Sequence, residues 1–193
     1  MKPSLKKLFP IVSALVVSMA VSSTASAQQK VIPAQSTIAF TSKQMSVPVD
    51  GKFEKFDAQI SFDPKQPAAS KISFTIDIGS AVIGDAETVR ELRKPTWFDM
   101  AKFPTASFQS TSARAVGGGK FEVIGNLSIK GKSKPITAIV QLAQKGDTTT
   151  VEGNFAMKRL DFSIGDGEWK DVSIVADEVV VKIKLALSGV AAL

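Results

Sequence analysis

Apolar side chains recur at every second position through most of the chain. Ile38 and Phe40 open the pattern, Phe56, Ala58, Ile60 and Phe62 share one phase, and Ile72, Phe74, Ile76 and Ile78 share the next. Phe121, Val123, Gly125, Leu127 and Ile129 follow, then Ile136, Ala138, Val140 and Leu142, then Val151, Gly153, Phe155 and Met157. The last run sets Val179, Val181, Ile183, Leu185 and Leu187 against Val180, Lys182, Lys184 and Ala186. Alternate residues of an extended strand point to opposite faces, so this period predicts antiparallel strands with one buried and one wet face. Turn formers separate the runs at Val49-Asp50-Gly51, Asp63-Pro64, Gly117-Gly118-Gly119, Lys130-Gly131-Lys132 and Lys145-Gly146-Asp147. The fold class is therefore all-β. About eight strands in one antiparallel domain make a barrel or a sandwich, and barrel closure would remove the exposed edges.

One segment breaks the period. Asp85 to Lys94 is rich in helix formers, acidic at its start and basic at its end, as the helix dipole favours, and Asp85 is placed to cap it. Pro95 stops the segment and Trp97-Phe98 follow at once, which predicts a short helix and an aromatic loop across one end of the barrel.

The N-terminus has a different grammar. Lys2, Lys6 and Lys7 precede an uncharged apolar run from Leu8 to about Val21, and Ala25-Ser26-Ala27 supplies a small-x-small cleavage pattern. That reads as a cleavable signal peptide over residues 1–27, with an uncleaved anchor as the alternative, and residues 28–193 as a single domain. The expected location is periplasmic. With no Cys, the domain has neither a lipid attachment site at the cleavage point nor disulfides to staple it.

Charge and composition then narrow the chemistry. The chain carries 24 Lys and Arg against 18 Asp and Glu, and losing three leader lysines leaves about +3, too mild and too dispersed for nucleic acid. It leaves contact with a membrane or membrane protein open, as it does association of two barrels. Histidine and cysteine are absent, which removes a Ser-His-Asp triad, a thiol nucleophile and ordinary zinc or haem ligation. Asp161, Asp166, Glu168 and Asp171 cluster around a Gly-rich loop, the one place for paired-carboxylate chemistry or calcium, but without EF-hand spacing and among lysines. Asn126-Leu127-Ser128 matches a glycosylation acceptor by chance, mid-strand.

Twelve Phe and two Trp with no Tyr make the aromatic surface almost wholly apolar. Phe40, Phe56, Phe74, Phe121 and Phe155 fall on inward phases. They serve either a filled core or the wall of a ligand cavity, since an eight-stranded barrel sits at the size where both occur.

Several stretches taken in order resemble one family. STIAF, GKFEKFDAQISFD, ELRKPTWFDMAKFPTASFQSTS and GNLSIKGKSKPI, with the ending FSIGDGEWKDVSIVADEVVVKIKL, are similar to the YceI-like proteins of bacterial periplasms, over about Val31 to Leu187. The resemblance implies a lipocalin-like eight-stranded barrel whose apolar tunnel, capped by the helix and loop, holds a long isoprenoid chain or a related amphiphile. It implies no catalytic residues, metal or cofactor. Phe40, Phe56, Phe74, Phe121 and Phe155 would then line the tunnel, Trp97 and Phe98 would form its lid, and Trp169 would stand near one end. Arg90 and Arg93, with Lys94, are the local candidates for a phosphate headgroup, since Arg offers a forked donor set. Two other classes stay open: a filled barrel acting through its outer face, and an enzyme using Asp166 and Glu168 on a bound lipid.

Overall fold

The computed structural model describes residues 29–193, so the expected leader and cleavage site lie outside the described residues. The strands are β1 (Lys30–Val31), β2 (Thr37–Gln44), β3 (Val47–Phe53), β4 (Phe56–Ser61), β5 (Lys71–Asp77), β6 (Ala81–Ile83), β7 (Thr105–Gly117), β8 (Lys120–Ile129), β9 (Lys132–Lys145), β10 (Thr148–Lys158) and β11 (Glu178–Ser188). One α-helix, α1 (Ala86–Leu92), separates β6 from β7. All strands pair antiparallel in a single curled sheet, in the order β4-β5-β7-β8-β9-β10-β11-β2-β3-β6, with β1 added on β11.

The expected eight strands are thus corrected to eleven, and the sequence contains the reason. The inward phase is odd in β3 (Val49, Gly51, Phe53) and even in β4 (Phe56, Ala58, Ile60), so one continuous strand cannot serve both. β5 and β6 differ in the same way, and the chain turns between them through a 3₁₀ segment at Ile78–Ser80. The third extra strand is the two-residue β1. The two breaks face each other: Glu54 N–H donates to Ser80 O (3.2 Å) and Asp77 N–H donates to Lys55 O (3.1 Å). Because β3 pairs with β6 while β4 pairs with β5, this double kink brings the ends of the strand order together around one interior.

Two further differences have local causes. β7 escapes the period-two pattern because a bulge between Ser110 and Ser112 flips its phase, so that Ala106 and Ala113, an odd number apart, are both buried. Val49-Asp50-Gly51 is not a turn but lies inside β3. The β2–β3 turn is made by Met45 (φ 48°) and Ser46 (φ 67°), non-glycine residues in the left-handed region that carry no sequence signal for it. The outer face is polar, with Lys184 paired to Glu152 across β10 and β11 at 3.0 Å.

The connections sort to two ends. One carries the β2–β3 turn, α1 with its following loop, the β8–β9 turn and the long segment between β10 and β11. The other carries the β4–β5 loop, the β7–β8 and β9–β10 turns, the segments flanking β1 and the one that follows β11.

Candidate functional site

The interior of the curled sheet is a cavity of about 500 Å³, within the range of ligand sites. The filled interior left open by the sequence is not what is found. Inward residues of β2 to β11 and Leu92 of α1 line the cavity, almost all of them aliphatic or aromatic. Phe40, Phe74 and Phe108 are only half-buried although they point inward.

Three inward positions, Gly51, Gly125 and Gly153, have no side chain, and at two of them a ring takes the space. A Cβ at Gly51 would lie 2.4 Å from the ring of Phe40, its cross-strand neighbour, and one at Gly125 would lie 2.4 Å from Phe108. The rings therefore lie over the glycines, flat along the wall.

The far end is shut by packing. Phe62 meets Phe121 edge to face, ring centroids 5.0 Å apart at 88°. Gln29 fixes the backbone of Phe62 by accepting from its N–H (2.9 Å) and donating to its carbonyl (2.6 Å). The other end is where polar groups reach the cavity. Gln44, at the end of β2, and Glu87, on α1, are the exposed residues among those lining it, with Ser42, Thr88 and Glu91 beside them. Asp85 starts this helix by accepting from Glu87 N–H (3.1 Å) and Thr88 N–H (2.8 Å), and the Thr88 bond chiefly holds its carboxyl below the ordinary value.

Two loops are stitched together at this mouth. Gly165 and Asp166 N–H both donate to Thr96 O (2.9 and 2.7 Å), and Lys130 Nζ donates to Pro95 O (2.7 Å) and Ser163 O (2.6 Å). Arg159 lies beneath them, 2% exposed. Its Nε donates to Ala176 O, its Nη1 to Ile164 O and Gly165 O, and its Nη2 to Trp169 O and Val175 O, at 2.6 to 3.1 Å. Burial lowers its pKa, with Asp177 and Asp166 opposing, and a guanidinium this basic remains charged. Five carbonyls satisfy all five donors.

The predicted site residues divide. Phe40, Phe74, Phe155, Trp97 and Phe98 line the cavity together, as does Trp169, whose ring lies 5.5 Å from that of Trp97. Phe56 packs against the core without reaching the cavity, and Phe121 stands behind Phe62 in the plug. Arg90 and Arg93 are exposed and outside the lining, a solvated basic end to the helix. At 100° per residue, the face that carries Glu87, Thr88, Glu91 and Leu92 turns Arg90 and Arg93 away. Anchoring that rotation on Leu92, the buried residue of α1, would have found this from sequence. Phe53, Phe108 and Arg159 are lining residues that sequence reasoning missed. In the acidic loop, Asp166 faces Lys170 at 3.7 Å and Asp171 accepts from Ser173 N–H and Oγ–H. Among the described residues no group of three or more acids is arranged to hold a metal.

Comparison with known proteins follows the same outline. Residues 29–187 match the YceI-like domain. The chain belongs to the YceI-like family. Relatives in this family include a UPF0312 protein of Yersinia pestis, 37% identical over 120 residues, and one of Pseudomonas aeruginosa, 35% identical over 120 residues. Each alignment spans 59% of this chain and 62% of the relative, so the chain matches a little under two thirds of their length. Among solved structures, Burkholderia cenocepacia BcnA is 43% identical with a TM-score of 0.79, covering 81% of this chain and 99% of BcnA. A polyisoprenoid-binding domain from Saccharophagus degradans shares the fold at 16% identity, with a TM-score of 0.65, over 83% of this chain and 98% of that one.

Proposed function

We propose that this protein is a non-enzymatic container for one long apolar lipid, an isoprenoid chain or similar amphiphile, held inside the curled sheet. The observation that carries the reading is the cavity itself: about 500 Å³, walled by apolar side chains, shut at one end and polar only at the other. A polyisoprenoid-binding protein with the same fold supports the choice of ligand. Each buried methylene contributes about 0.8 kcal/mol, so a chain of about 20 carbons offers roughly 15 kcal/mol gross. Immobilising chain and protein offsets several kcal/mol, which leaves roughly micromolar to nanomolar affinity. Such a wall reads length and girth, and polar selection falls to the mouth.

The leader at residues 1–27 supports export to the periplasm, with residues 28–193 as one working domain and the protein acting there as carrier or store. An aqueous space beside membranes is where an apolar chain needs a shielded carrier. The test is purification from the periplasmic fraction under native conditions, lipid extraction and mass spectrometry, with a thermal melt before and after adding a C20 to C40 prenyl chain. An amphiphile should copurify in about equimolar amount, and the chain should raise the melting temperature of delipidated protein. Neither effect, or retention of the whole chain in the cytoplasm, would sink the reading.

A further inference from the structure

The outer face is polar along the strands, yet the rim of the mouth carries an apolar tip. Met45 is 68% exposed, Val47 63%, Val172 56% and Ile174 38%, four of the eight large apolar side chains that the described residues expose. Two segments far apart in sequence bring them together. Met45 N–H donates to Ile174 O (2.8 Å), and Ala176 N–H donates to Lys43 O (2.9 Å). This pairing sets Gln44 opposite Val175, and both line the cavity. Met45 and Ile174, one step along, therefore share the opposite face. Val47 continues the inward phase of Val49 and Phe53 one step past the rim.

The tip is thus apolar on both faces, and its turn is held at a cost. Met45 and Ser46 sit in the left-handed region (φ 48° and 67°), which glycine or asparagine adopts more easily, and neither contributes to the core. A flat protein partner, or a second copy, covers one face of a protruding hairpin. Apolar groups on both faces suit immersion in a fluid apolar medium. The charges nearby do not favour one sign: Lys170 faces Asp166 at 3.7 Å, and Glu168 and Asp171 stand against Lys43. Attraction to anionic headgroups therefore adds little, and apolar burial carries the contact.

We propose that Met45, Val47, Val172 and Ile174 insert shallowly into a phospholipid bilayer and set the mouth of the cavity against it. This rests on the lipid-container reading for its purpose, since an apolar ligand then enters and leaves beside the tip. The contact itself is tested without a ligand.

The experiment is flotation of the mature protein with vesicles of phosphatidylethanolamine and phosphatidylcholine, at low and high salt. The comparison is a triple variant, Met45→Asn, Val172→Ser and Ile174→Ser, whose positions lie outside the cavity lining. Each methylene withdrawn from water is worth about fourfold in partitioning, so the variant should bind at least about tenfold more weakly. Salt should change wild-type binding less than about twofold. Wild type that does not float, a variant that floats equally well, or binding that needs anionic lipid and vanishes in high salt would each overturn the proposal. So would a dimer abolished by the same substitutions, which gives the tip to a second copy.

The melting-temperature shift with a prenyl chain separates the two readings. It should be alike in both proteins, and its absence alongside tip-dependent flotation would sink the container and leave the docking. Should the triple variant fail to fold, the lack of Cys allows single labelling with a polarity-sensitive dye. The dye on Met45→Cys should shift to the blue with vesicles, and the dye on Lys120→Cys, in the turn region of the far end, should not. An equal response at both positions, or none, would also overturn the docking.

Discussion

The two ends of the molecule are built on different physics. At the far end, Phe62 and Phe121 close the interior by apolar contact, and Gln29 and Gln144 staple nearby backbone, the latter by donating to Val190 O at 3.3 Å. At the mouth, apolar side chains such as the Trp97–Trp169 pair, ring centroids 5.5 Å apart, sit on loops held by directional bonds. The loop between β10 and β11 is held by a buried cation bonded to five of its own carbonyls, and Lys130 ties it to the loop after α1 by reaching one carbonyl in each. Packing shuts a space, whereas directional bonds hold a rim in shape while leaving it open. The contrast suits a container loaded from one side.

Breaking the mouth should cost most. Arg159→Met keeps much of the volume but strands five buried carbonyls, and unfolding in urea should show a loss of at least about 4 kcal/mol. Arg159→Lys should recover less than half of that, because an ammonium has three donors and cannot reproduce the fork. A loss below about 1 kcal/mol would mean that the rim is held by something else.

Opening the far end should cost less and change selection. Phe62→Ala should lose about 3 kcal/mol and lengthen the cavity, shifting preference toward longer prenyl chains in a chain-length series. Unchanged length preference would show that Phe62 is not the stop.

The smallest effect concerns the helix at the rim. Because the folded-state pKa of Asp85 is depressed, its capping contribution is present above about pH 3.9 and is lost as pH falls through the lower folded value. The difference in melting temperature between wild type and Asp85→Ala should therefore narrow from about pH 6 toward about pH 2. A pH-independent difference would remove the ionised cap from the account.

What could be read from sequence follows the same division. The walls were legible because strands such as β8 and β10 keep one phase from end to end, and Phe40, Phe74 and Phe155 fell where that phase put them. The cap at Asp85 was legible because its chemistry is local. The kinks were recoverable from the phase jump between Phe53 and Phe56, but only once both sides were assigned inward. Arg159 was not legible at all. Its partners are main-chain carbonyls, which every residue has, so nothing in the side chains around it announces the site.

Gly51 and Gly125 have a consequence for how the girth of the lumen can be studied. Truncation to alanine, the usual way of probing a binding site, adds atoms at these positions. The width of the container is recorded there as missing matter, and a survey that only deletes would never find it. Enlarging Gly51 would push the ring of Phe40 into the lumen and narrow it without replacing any residue that lines it. Two lumens of this shape can therefore differ in girth through a residue that lines neither.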